Sequence, residues 1–219
     1  MEPIILHIDT KEVIRGRLPV LVRSKICTIV EKAYSLTREA IKQTTLLNWE
    51  LGAKHEGYLR NIAIGYLFKQ QIDLGNLPFS YSYEYNRNRS YKFIVLSFEN
   101  IKISFSQVQA RTHVARPAYF RNKLQLLNQG EMYFSDMDPN IPSNADDCYL
   151  LLTYSRGGSE PKFVNIGFPH QWNERIDLLK ETRVLASDNP QVAPEETITP
   201  ETLIEFRNYV KEVEGLGSE

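Results

Sequence analysis

The chain has 219 residues, 42% hydrophobic and 24% charged, with a formal net charge of -1. That is enough apolar material for one sizeable core plus at most a small appendage, and too little positive excess for a generic nucleic-acid coat. Cys27 and Cys148 are too few and too far apart for a disulfide framework, no stretch approaches the roughly eighteen apolar residues of a membrane span, and the start, MEPIILHIDTKEV, has neither a basic leader nor a long apolar core, so a cytoplasmic protein without membrane contact is expected.

In chain order, Ile4 to Ile8 is a short apolar run with strand character, and Asp9 or Thr10 caps a short helix ending near Gly16. Beyond Pro19, Val22, Ile26, Ile29, Val30, Ala33, Leu36 and Ala40 recur at helical spacing. The pattern fits one long helix to about Trp49, or two broken near Ser35 to Thr37. A further helix is predicted from Gly57 to Asp73, with Ile62, Ala63, Tyr66 and Leu67 on one face and Gly75-Asn76 as its stop.

From Pro78 the period becomes two. Phe79, Tyr81, Tyr83 and Tyr85 take every second place, Tyr91, Phe93, Val95 and Ser97 repeat the pattern, and Glu99-Asn100 turns the chain into Ile101, Ile103 and Phe105. This predicts an antiparallel meander. A helix over Ala115 to Asn128 follows, with Pro117 in its first turn, then a polar loop, SDMDPNIPSNADD. Cys148 to Tyr154 and Lys162 to Phe168 form a hairpin across Arg156-Gly157-Gly158-Ser159, whose glycines suit positive φ. Ser187 to Pro200 holds Pro190, Pro194 and Pro200 and reads as an extended linker. Thr199-Pro200-Glu201 opens a last helix carrying Leu203, Ile204, Phe206, Val210 and Val213, which either docks on the body or exchanges between protomers. The expected organisation is one α+β domain over 1–186, helical over 10–75 and sheet-rich over 78–186, followed by a linker and C-terminal helix over 187–219.

Catalytic patterns do not hold together. Asp147 with Glu160-Pro161-Lys162 has the residue types and order of a PD-(D/E)XK nuclease, whose carboxylates share one divalent metal. The hairpin, however, sets Asp147 opposite the far end of the second strand and Glu160 beside the turn, roughly 20 Å apart at the rise of a strand. His7, His55, His113 and His170 are scattered, with none at a ligand spacing, and both cysteines read as packing groups. There is no serine elbow, Walker sequence or zinc pattern. Neither metal nor cofactor is expected, and a non-enzymatic role is favoured.

Charge is unevenly spread. Residues 84–123 hold eight Lys and Arg against Glu84 and Glu99, a local +6, whereas residues 181–219 hold nine acids against Arg183, Arg207 and Lys211, a local -6. Either the acidic tail lies over the basic segment, or the basic segment is a docking face. Tyr81, Tyr83 and Tyr85 share one side of a regular strand, and Arg87 and Arg89 continue that register; core packing is the competing fate of the rings. Arg116, Arg121 and Lys123 lead a helix whose macrodipole disfavours cations near its start, so local helix physics does not ask for them. Arg87, Arg89, Arg116, Tyr119, Arg121 and Lys123 are the candidate binding residues.

The succession ARPAYFRNKLQLLNQ, then CYLLLTYSRGG and PKFVNIGFP, then QWNERIDL, over about Tyr91 to Leu178, resembles a group of bacterial proteins from prophages and genomic islands. That group is similar to members of two-gene toxin and antitoxin or phage-defence modules. The resemblance implies a component acting by binding a cognate protein partner, as toxin or as neutraliser. A nucleic-acid-binding protein using the same basic face, or a divergent metal-dependent nuclease, is the alternative.

Overall fold

The computed structural model describes residues 9–44, 47, 52–88, 91–128, 147–183 and 198–214. The expected strand over Ile4 to Ile8, residue Arg89 and most of the Pro-rich linker lie outside them. Asp9 caps the first helix, α1 (Thr10–Arg17), by accepting from the Lys11 and Glu12 backbone N–H groups. The second, α2 (Val20–Gln43), runs unbroken through Ser35 to Thr37, where the Thr37 hydroxyl bonds back to the Ala33 carbonyl at 2.7 Å and leaves the ladder intact. α3 (Glu56–Asp73) stops where expected: Gly75 takes φ 72° and the Asn76 and Leu77 N–H groups return to the Gln71 carbonyl.

Six strands form one sheet in chain order: β1 (Ser80–Tyr85), β2 (Lys92–Phe98), β3 (Ile101–Val108), β4 (Cys148–Ser155), β5 (Val164–Gly167) and β6 (Ile176–Asp177). Neighbours are antiparallel except β3 and β4, which run parallel from Ile101 opposite Cys148 to Val108 opposite Ser155. The fold is α+β, with helices before the sheet, one inserted helix and a C-terminal helix. The parallel pair is the departure from a purely antiparallel centre. It exists because the chain between β3 and β4 crosses a face of the sheet as α4 (Tyr119–Gln125) and re-enters at the same end. Gly157 and Gly158 take φ 70° and 84° in the turn after β4.

Alternation along the strands gives the sheet two unlike faces. Ile94, Leu96, Ile103, Leu150, Leu152 and Ile166 point to a layer of α2, α3 and the last helix, α5 (Pro200–Glu214), and share one core with Ile26, Val30, Phe68, Phe206 and Tyr209. The other face carries a small cluster, Val95, Phe120, Leu124 and Tyr149, beneath α4. α4 is shorter than the pattern predicts: Pro117 precedes the extended N-cap, Ala118, and after Gln125 the chain tightens into a 3-10 turn, Leu126–Asn128. Asn128 fixes that end by donating from Nδ2 to the Tyr149 carbonyl at 2.8 Å and accepting from the Tyr149 N–H at 2.7 Å.

Candidate binding surface

α4 has two adjacent stripes. Phe120, Leu124 and Leu127, at i, i+4 and i+7, face the sheet; the Phe120 ring stacks on Phe93 with centroids 4.3 Å apart. Tyr119, Lys123 and Leu126 repeat the same spacing one residue earlier and face solvent, with Tyr119 64% and Leu126 58% exposed. The segment leading into the helix adds Val114 and Arg116, both exposed. The product is a strip in which two cations alternate with a ring and two aliphatic side chains. Among the described residues no carboxylate pairs with Arg116 or Lys123.

Arg121 belongs beneath this strip. Its guanidinium lies 5.0 Å from the Phe120 ring and donates through Nη1 to the Arg116 carbonyl, and its Nε has no protein partner among the described residues. Desolvation lowers its pKa, against the nearby Tyr149 and Tyr154 hydroxyls. It therefore braces the turn that presents Arg116. Arg111 is likewise committed: its guanidinium sits 3.3 Å from Asp177 Oδ2 and its carbonyl accepts from Asn165 Nδ2 at 3.0 Å.

Arg87 stands exposed in the β1–β2 turn, past the end of β1, so the strand does not extend its register to the arginine. Tyr81 and Tyr83 pair with Leu96 and Ile94 and pack on the helix-side core, opposite α4; core packing is their fate. Of the six candidate residues the structure thus brings together Arg116, Tyr119 and Lys123 at the surface with Arg121 below, and sets Arg87 on a separate turn.

Two features escaped the sequence reading. Arg60 is the largest fully buried side chain among the described residues: Nη2 donates to Glu56 and, at 3.1 Å, to the Gly158 carbonyl, while its guanidinium carbon lies 3.9 Å from the Tyr34 ring centre. It ties α2, α3 and the β4–β5 turn together. The second is a polar row across four strands on the α4 side, Ser106, Thr153, Asn165 and Asp177 in successive register. Thr153 and Asn165 are fully buried. The available signal was a polar residue set among apolar ones in CYLLLTYS, FVNIG and RIDL, namely Thr153, Asn165 and Asp177, whereas nothing local marks Arg60.

The acidic C-terminal helix lies on the far side. α5 packs on α3 through Phe206 and Tyr209, each with ring centroids 5.6 Å from Tyr66, and the Tyr66 hydroxyl donates to Glu205 at 2.8 Å. The described acids of the tail helix therefore do not cover the basic strip. Glu181 and Arg183 instead pair inward with α2, at Arg23 and Glu31. β4 separates Asp147, before its first residue, from Glu160 in the turn beyond its last, as the hairpin register requires. No group of three or more His, Cys, Asp or Glu among the described residues is placed to hold a metal ion, and no described helix is long and apolar enough to cross a membrane. No family model matches the chain, nor does any curated protein or solved structure.

Proposed function

We propose that this chain acts by binding rather than catalysis, docking a cognate acidic protein through the Arg116, Tyr119, Lys123 and Leu126 strip, as a component of a bacterial toxin and antitoxin or phage-defence pair. The observation that carries the reading is the exposure of two cations without counter-ions among the described residues, interleaved with a ring and aliphatic side chains along one strip. Such a mixed patch suits an interface in which apolar contact supplies affinity and charge supplies specificity. Nucleic acid is the less suitable partner, because Arg111 is paired with Asp177 and Arg121 braces the Arg116 turn, so few cations remain to neutralise successive phosphates.

The test is to capture the partner from the native cell and titrate it against wild type and Arg116→Glu with Lys123→Glu. Affinity at least about tenfold weaker, with an unchanged thermal midpoint and a shallow salt slope, supports the reading. Unchanged affinity removes it, and a steep salt slope on a captured nucleic acid replaces it.

A further inference from the structure

Opposite signs on opposite sides of one sheet have a consequence for self-recognition. On the helix side, α3 and α5 leave between them an open cleft of about 460 Å³, walled by Asp73, Glu205 and Glu212 against Lys69. Lys69 is already held by Asp73 at 2.8 Å and Glu205 by the Tyr66 hydroxyl, while Glu212 has no hydrogen bond or ion pair among the described residues. Leu74, 64% exposed, lines the same cleft. Acids around an exposed leucine are the complement of the α4 strip, where cations flank Tyr119 and Leu126.

The two surfaces cannot meet within one molecule. α4 packs on Val95 and Tyr149, α5 on the layer covering Ile94 and Leu150, and the sheet stands between them. We infer that the α3–α5 cleft receives the α4 strip of a second copy of this chain, head to tail, with Lys123 and Arg116 entering between Asp73 and Glu212 and Leu126 meeting Leu74. The contact is heterologous, so a joined pair still has one free cleft at one end and one free strip at the other, and the product is a ring or an open chain instead of a two-fold dimer. The inference rests on the reading of the α4 strip as a docking face and names a further occupant for it: the same chain competes with the cognate partner.

Sedimentation velocity of the full chain provides the test. Wild type should gain mass with concentration at low salt and lose it on adding salt. Arg116→Glu with Lys123→Glu, and separately Asp73→Lys with Glu212→Lys, should each remain monomeric with a native circular dichroism spectrum. An equal mixture should recover association, since each variant's strip now complements the other's cleft. Glu212→Gln alone, at an exposed position, should weaken association severalfold should the double variant fail to fold. A wild type monomeric throughout, association indifferent to either reversal, or a mixture that stays monomeric overturns the inference. A monomeric wild type that still loses its captured partner on Arg116→Glu with Lys123→Glu overturns the head-to-tail contact alone; loss of neither overturns both.

Discussion

The two faces of the sheet solve different problems. The helix side is one continuous apolar core in which even a charged residue, Arg60, is buried, against the partly exposed Glu56 carboxylate and a ring. The α4 side has a buried apolar cluster of only four residues, a seven-residue helix without a side-chain cap, and a polar row. Apolar burial dominates folding free energy, so stability resides on the first face and the second is free to present charge. Cations are treated accordingly: Arg60 is fixed, Arg121 braces, and Arg116 and Lys123 remain available.

The contrast is broken most severely by exchanging the loads on matched phenylalanines. Phe68→Ala, stacked on Phe105 in the main core, should cost about 3–5 kcal/mol in urea unfolding. Phe120→Ala should cost less globally and instead accelerate amide exchange in α4 before the rest of the chain, as a locally weak unit does. Equal costs and uniform exchange would show that the faces are one cooperative unit. Glu56→Ala should cost about 2–3 kcal/mol, below the full buried-pair range because a third of the Glu56 side chain stays wet. Arg60→Met, which removes the charge instead of stranding it, should cost less; the reverse order would mean that Arg60 is held chiefly by Tyr34.

Alkaline pH tests the packed face as a whole. Burial pushes the Cys27 thiol up from 9.0 to about 11, and likewise raises the Tyr34, Tyr66, Tyr154 and Tyr209 hydroxyls. Each group is neutral in the fold and ionises sooner when unfolded, so its contribution is whole below the unfolded pKa and is lost as pH rises through the folded one. The urea midpoint should hold below pH 9 and decline towards pH 11; a midpoint level across that window would contradict the burial. Smallest of all, Arg116→Glu with Lys123→Glu should shift stability by no more than about 0.5 kcal/mol, as exposed substitutions do.

Periodicity made much of this legible. α3, the β1–β3 meander, the β4–β5 turn with its left-handed glycines and the Thr199-led last helix follow from local pattern, because apolar residues recur at helix or strand spacing and Gly or Thr marks the ends. The parallel seat of β4 was not legible, since nothing in CYLLLTYS says which strand lies beside it. Nor was the loss of Arg121 from the surface: a helix position half-turned inward looks the same in sequence as one facing out. Arg60 was hidden for a related reason, as α3 is enclosed by α2, α5 and the sheet and no longer has a solvent side over much of its length.

The pairing of β3 with β4 also orders events during synthesis. Residues 101–108 emerge and can pair with β2 long before 148–155 exist, and β2 meets only Phe98, Ser97 and Leu96 against Ile101, Lys102 and Ile103. A nascent chain halted there carries a strand open along its whole β4 edge and, beyond Ile103, along the other edge too, to any neighbour on the polysome. Closure waits for a contact some forty residues downstream in translation, and lengthening that delay, by a pause after β3, is the route by which this protein would be lost to aggregation before it ever folds.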